Sequence, residues 1–242
     1  MISVIPVPGL PEIHEGDDLG ALIAEHAGLE DGDVVVVAQK VVSKAEGRVV
    51  HLDTVEASER ARRLAGNWCD PRELEVILGE TARVVRQRNA LVIAETTHGF
   101  VCASAGVDHS NAPDGHMLVL LPRDPDASAR ALRDALRDRT GKQVAVVIAD
   151  SFGRPFRLGT TDVAIGVAGL EPLRDLRGTT DRAGRVLRST QVAVADELAA
   201  AADLARAGKD DGLPVVLVRG AGVGGDGSAA ELVLPADRDL FR

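Results

Sequence analysis

Between Val144 and Gly159 the chain reads Val-Ala-Val-Val-Ile-Ala-Asp-Ser-Phe-Gly-Arg-Pro-Phe-Arg-Leu-Gly. Its first half is an unbroken run of β-branched and small apolar residues, which predicts a strand buried on both faces of a sheet. Such a strand delivers Asp150 and Ser151 at its end, and Gly153 and Pro155 forbid regular continuation. Arg154 and Arg157 then place two guanidinium forks beside the carboxylate, a setting in which an anion and a metal could both be held. A turn capped by Asp150, with solvated or Asp-paired arginines, accounts for the same residues.

A second stretch tips the balance toward a metal. Phe100-Val-Cys-Ala-Ser-Ala-Gly-Val-Asp-His-Ser-Asn111 repeats the plan, a short apolar run that breaks into Asp108, Ser110 and Asn111. Two apolar strands that each end in an Asp beside a hydroxyl or amide supply the oxygen ligands a hard divalent cation such as Mg or Mn prefers.

The rest of the chain bounds what surrounds such a site. At 242 residues it buries one substantial core or two smaller ones that share an interface. The 45% apolar and 27% charged residues are those of a folded protein, and with no Tyr and one Trp the core must be built from Val, Leu, Ile and Ala. A net charge of −9 and the scarcity of aromatic stacking platforms argue against a nucleic-acid or anionic-membrane partner. No leader sequence and no membrane-length apolar run is visible, so a cytoplasmic protein is expected. Cys69 and Cys102 lack metal-ligand spacing and read as buried free thiols.

In chain order, Ile2 to Val7 reads as a strand, and Asp17 or Asp18 caps a helix to about Ala27. A buried strand from Asp33 to Ala38 runs into Gln39–Arg48, a cationic patch with Lys40, Lys44 and Arg48 that reads most simply as a solvated loop. Helices follow at Ser58 to Gly66 and Pro71 to Gly79, and strands at Ala82 to Gln87, Ala90 to Glu95, Phe100 to Ala105 and Met117 to Leu121. Asp124-Pro125 opens a helix that Gly141 ends. Beyond the central run come a strand at Val163 to Val167, a polar turn region from Asp175 to Arg188, and an Ala-rich helix from Thr190 to about Ala207 whose Asp196-Glu197 pair solvates a face. A strand from Pro214 to Val218 closes the series. His98 and His109 read as surface residues, and the glycine-rich run from Arg219 to Ser228 lacks the helix and spacing of a dinucleotide fingerprint. No linker divides the chain, so residues 1–242 are treated as one domain.

Several short segments occur in an order that, jointly, resembles the coenzyme F420 gamma-glutamyl ligase family. They are Pro8-Gly-Leu-Pro-Glu12, Asp31-Gly-Asp33, Val41-Val-Ser-Lys-Ala-Glu-Gly-Arg48, Ala105-Gly-Val-Asp-His-Ser-Asn111, Asp150-Ser-Phe-Gly-Arg154, Ala164-Ile-Gly166, Val194-Ala-Asp-Glu197 and Val218-Arg-Gly220. The resemblance implies a GTP-dependent ligase that joins the phospholactyl carboxylate of a deazaflavin coenzyme precursor to the amine of L-glutamate through an acyl phosphate. It implies Mg or Mn and a monovalent K ion as cofactors, and an intertwined homodimer of α+β fold with mixed sheets and flanking helices.

By position, the resemblance assigns Asp108, Asp150 and Ser151 to metal binding. It assigns Leu10, Pro11, Glu12, Ile13, Gln39, Lys44, Asn111 and the run Arg206, Ala207, Gly208, Lys209, Asp210, Asp211, Gly212 and Leu213 to the nucleotide. Catalytic roles are expected for Asp150, Lys44 and Arg154, with Arg154 and Arg157 argued from local charge as anchors for a coenzyme phosphate or carboxylate. Two positions depart from the family pattern: Gln39 stands where members carry Ser, and Gly208 where some carry a metal-binding carboxylate that Asp210 or Asp211 would have to replace. The alternatives are a ligase acting on another carboxylate acceptor and a non-catalytic nucleotide-binding relative.

Overall fold

The computed structural model describes residues 1–109, 116–206 and 212–240. The first part of the chain forms strand β1 (Ser3–Pro6), helix α1 (Leu19–His26), β2 (Val34–Ala38), α2 (Gln39–Ala45) and β3 (Val49–His51). Next come α3 (Glu59–Ala65), α4 (Pro71–Gly79), β4 (Thr81–Arg88), β5 (Leu91–Thr96), β6 (Val101–Ala103) and β7 (Met117–Val119). The remainder comprises α5 (Pro125–Thr140), β8 (Ala145–Gly153), β9 (Thr160–Ala168), β10 (Leu173–Asp175), β11 (Gln191–Ala193), α6 (Val194–Ala205) and β12 (Val215–Arg219). The fold is α+β with mixed sheets, as expected.

The main sheet has the order β1-β12-β2-β8-β9, and within it β2 and β8 are the parallel pair. Val34 to Val37 and Val146 to Ile148 are fully buried, which is why these strands read as continuous apolar runs rather than alternating ones. Ile23, Leu132 and Leu136 of α1 and α5 cover one face with Val35, Val37, Val146 and Ile148. The small residues of α6, among them Ala195, Ala199 and Ala202, cover the other against Val36, Val147 and Ala149. A second core joins Ala61, Leu74 and Ile77 of α3 and α4 to the β4-β5-β6 sheet and Leu118.

The helix signals at α5 act as read. Asp124 accepts the Ala127 amide at 2.8 Å, Pro125 occupies the first turn, and Gly141 ends the helix in the left-handed conformation at φ 71°. Asp126 ties α5 to the edge strand: its Oδ1 accepts the amide of Val167 at 2.8 Å, and its Oδ2 accepts the Ser228 hydroxyl at 2.6 Å. Close approach is possible because a Cβ at Gly166 would lie 2.3 Å from the Pro125 carbonyl oxygen.

Five expectations are corrected, the last of them the burial of Cys69. The Gln39–Arg48 stretch is helical through Ala45, with Val42 and Ser43 buried against the sheet; its N-cap is Ala38, which offers no capping side chain to read. The central strand does not stop at Asp150 but runs to Gly153 and folds back on β9 as a hairpin, with Gly153 opposite Thr160. Asp196 does not solvate a face; its Oδ1 accepts the Ala164 amide at 2.9 Å, and burial holds its carboxyl above the usual range. His98 is half-buried, with Nε2 at 2.9 Å from the Pro122 carbonyl and its ring stacked on Phe100. Of the two cysteines, Cys102 is buried and Cys69 partly exposed, both as free thiols.

Candidate active site

Parallel pairing sends the C-terminal ends of β2 and β8 to the same edge of the sheet, with Ala38 opposite Ala149. The next residues on either side are therefore Gln39 and Lys40, opening α2, and Asp150. Lys40 reaches across to Asp108, Nζ to Oδ2 2.9 Å. Asp108 is held there by a two-way backbone bridge to Val119 at 3.0 and 2.9 Å. The turn that leads to it is strained, with Ser104 and Ala105 at φ 52° and 53°, a region L-residues enter reluctantly.

Asp150 is half-buried, and its carboxyl is pushed up to about 7. Burial is the main cause, and the charges of Asp108 and Asp162 add to it, while the Ser151 amide and Lys40 pull the other way. Negative charge at this end of the sheet is thus under-compensated, and a cation placed beside Asp150 would relieve it. Among the described residues no three carboxylate, imidazole or thiolate groups converge as a self-sufficient metal cage. Hard-oxygen donors from one or two carboxylates fit Mg or Mn all the same, since such ions complete their shells with water and substrate phosphate.

Asp150 and Ser151 lie on opposite faces of the strand, because successive side chains alternate. Ile148 and Phe152, two residues either side of Asp150, pack into the α1–α5 core, whereas Ala149 faces α6. On the α6 face the Ser151 hydroxyl donates to Asp162 Oδ1 at 2.6 Å, and Arg206 Nη1 donates to Asp162 Oδ2 at 2.5 Å. Sequence reading missed Asp162, which sits just before the apolar run of β9 and is only 4% exposed.

The expected nucleotide positions come together in part. Lys44, on α2, pairs with Glu12 of the Leu10–Ile13 segment. Pro11 and Glu12 are exposed, Leu10 is half-buried, and the Ile13 side chain belongs to the core. Gln39 is 1% exposed; its Nε2 donates to Ser43 Oγ at 2.6 Å and to the Leu120 carbonyl at 2.8 Å. Its Oε1 is a buried acceptor without a partner among the described residues, an unusual state for a polar atom. Arg154 lies in the hairpin tip, where Nη2 donates to the Leu158 carbonyl at 2.9 Å, and Arg157 is exposed beside it. Gly212 is exposed and Leu213 half-buried ahead of β12. Ser110 and Asn111, and Ala207, Gly208, Lys209, Asp210 and Asp211, lie outside the described residues.

Asp108 and Asp150, Lys40 and Lys44, and the buried Gln39 Oε1, which has no partner among the described residues, thus lie around the ends of a parallel strand pair. Comparison with known proteins names the class: residues 9–220 match the model of the F420-0:gamma-glutamyl ligase family, and the chain belongs to that family of ligases. It is 46% identical to the coenzyme F420:L-glutamate ligase of Methanothermobacter thermautotrophicus over 250 residues, covering 100% of this chain and 99% of the relative. Proteins of the same name from Methanopyrus kandleri and Archaeoglobus fulgidus are 47% and 43% identical, again over 100% of this chain and 98% and 96% of theirs.

Proposed function

We propose that the protein joins L-glutamate, through an amide bond, to the phospholactyl carboxylate of the coenzyme F420 precursor at the expense of GTP. The observation that carries this reading is the family match over residues 9–220, which encloses Lys40, Asp108 and Asp150. The γ-phosphoryl group passes from GTP to a carboxylate oxygen of the coenzyme, GDP leaves, the glutamate amine attacks the acyl carbon, and inorganic phosphate departs as the amide forms. Further γ-linked glutamates extend the product by the same chemistry.

The protein's task is to hold three anionic partners together and neutralise their charge. Asp108 and Asp150 would hold a divalent Mg or Mn ion on one face of the hairpin and Ser151 a second cation on the other, with K as the monovalent cofactor. Bound there, a divalent ion supplies electrostatic stabilisation of the transferring phosphoryl group. Lys44, swinging from the exposed Glu12 carboxylate, meets a phosphate as a point charge. The unpartnered Gln39 Oε1 accepts a hydrogen bond from the nucleotide. Arg154 and Arg157, in the hairpin tip, anchor the coenzyme's own phosphate. An intertwined homodimer working in the cytoplasm completes the reading.

Mass spectrometry of a reaction holding purified protein, unglutamylated coenzyme F420, L-glutamate, GTP and Mn, with each component omitted in turn, tests it. A glutamate-extended product that needs GTP and metal is expected. Tight GTP binding with no product under any condition would overturn the assignment of the acceptor.

A further inference from the structure

The pairing of β8 with β9 slips by one residue immediately before Asp150: Ile148 lies opposite Gly166, but Ala149 lies opposite Ala164, leaving Ile165 as the extra residue of a bulge. Directly opposed residues share a face, so the slip decides which residue of β8 each β9 side chain from Thr160 to Ala164 stands beside. With regular pairing Asp162 would face Phe152 and stand on the Asp150 side; with the bulge it faces Ser151. The bulge is itself maintained, because the Ala164 amide is taken by Asp196 Oδ1 at 2.9 Å from the first turn of α6.

The relocated carboxylate has two donors, one on each oxygen. Ser151 gives it a hydroxyl hydrogen at 2.6 Å, and Arg206, the C-cap of α6, gives it an Nη1 hydrogen at 2.5 Å. Asp162 is 4% exposed and the Arg206 side chain 12%, so this pair is shielded from water and from salt. A hydroxyl has a single hydrogen. Once that is committed to Asp162, the Ser151 oxygen presents only lone pairs to anything else, and the adjacent negative charge makes it a better donor to a cation. Arg206 Nε is buried with no hydrogen-bond partner among the described residues, so the guanidinium is held mainly through Asp162, with a weaker contact from Nη2 to the Val36 carbonyl at 3.5 Å.

We infer that Asp162 is a positioning residue that orients the Ser151 hydroxyl toward a cation and fixes Arg206 at the start of the nucleotide stretch, so that one buried carboxylate couples the two subsites. The inference rests on the ligase reading for what Ser151 and Arg206 bind. It adds a residue that neither touches substrate nor can be replaced by its isostere. Asparagine in its place keeps the volume but turns one of the two oxygens into a donor, which must face either the Ser151 hydroxyl or the Arg206 guanidinium.

The test compares the full-length protein with Asp162→Asn, Ser151→Ala, Arg206→Gln and the Asp162→Asn/Arg206→Gln double variant. Mn binding is read from the free-ion electron paramagnetic resonance signal and GTP binding from a fluorescent analogue, with urea midpoints measured alongside. Asp162→Asn should weaken Mn and nucleotide together, each by about 10–100-fold, at temperatures where the fold is intact. In the double variant the nucleotide losses should be less than additive, as expected when one residue acts through the other. If the wild type binds both ligands and Asp162→Asn binds them equally well, the positioning role is refuted while the ligase reading stands. If the wild type binds neither, the ligase reading falls and takes the inference with it. Should Asp162→Asn not fold, the single variants decide: Ser151→Ala must lose Mn affinity and Arg206→Gln nucleotide affinity, and retention of both overturns the inference.

Discussion

Replacing Asp150 with Asn should make the metal-free protein more stable at neutral pH while abolishing turnover. The carboxyl of Asp150 titrates at about 7 in the fold against an ordinary value of 3.8, chiefly because of burial and then because Asp108 and Asp162 repel its charge. The folded-state value lies above the unfolded one, so this group's contribution to stability is fully present below about pH 4 and is lost as the pH rises through about 7. At roughly 1.4 kcal/mol per pH unit, the loss approaches about 4 kcal/mol once the group is ionised in the fold. Asn carries no charge and escapes it.

Urea unfolding in the presence of EDTA, at fixed protein concentration and pH 5 to 8, checks this. The stability gap in favour of Asp150→Asn should widen between pH 5 and 7 and level off by pH 8. Saturating Mn should then raise the wild type, by about 2.7 kcal/mol at a hundredfold excess over the dissociation constant, and raise the variant by less. A gap that is flat with pH, or a variant less stable than wild type at pH 8, would refute the account of Asp150 as an under-compensated charge.

Three further outcomes follow from the packing. Gly166→Ala places a Cβ 2.3 Å from the Pro125 carbonyl oxygen, and the forced shift of α5 should cost about 1–3 kcal/mol in urea unfolding. Arg219→Met removes the fork that donates to both oxygens of the fully buried Asp33 at 2.8 Å, and should cost about 3–5 kcal/mol at pH 7. Because the Asp33 carboxyl, despite the opposing effect of burial, is held below its usual range by Arg219 and the Glu30 amide, the wild type's advantage is present above about pH 4 and should shrink as the pH falls further. Burial, followed by the Asp150 charge, pushes the Cys102 thiol up to about 12, so a thiol reagent at pH 8 should label Cys69 alone in the native protein and both cysteines after unfolding.

What could be read in the sequence was whatever depends on neighbours along the chain. The caps of α5 at Asp124, Pro125 and Gly141 are local, and the doubly buried β8 is visible as an apolar run. Asp108 and Asp150 stand out because each breaks such a run. Helix α2 was missed because its cap is an alanine and its lysines outweigh the apolar spacing of Val41, Val42 and Ala45. Asp162 was invisible for a different reason: its importance depends on which residue of β8 it opposes, and that register is set by a bulge whose stabilising carboxylate, Asp196, comes from a helix thirty-odd residues further on.

The same dependence on pairing explains why the site lies where it does. β2 and β8 run parallel within a sheet whose other pairings, β1 with β12, β12 with β2 and β8 with β9, are antiparallel. Antiparallel partners would send the end of β2 and the end of β8 to opposite edges; parallel pairing sends both to one, and so sets Lys40 of α2 against the carboxylates of Asp108 and Asp150. The hairpin then extends this edge beyond the last shared pair, Ala38 with Ala149. Past that point β8 has no β2 neighbour, its edge on that side opens, and Asp150 and Ser151 stand on opposite faces of the strand. β9, on the far edge of β8, keeps the strand extended through Gly153 after β2 has ended, and so holds the Asp150 and Ser151 side chains in fixed, opposite directions.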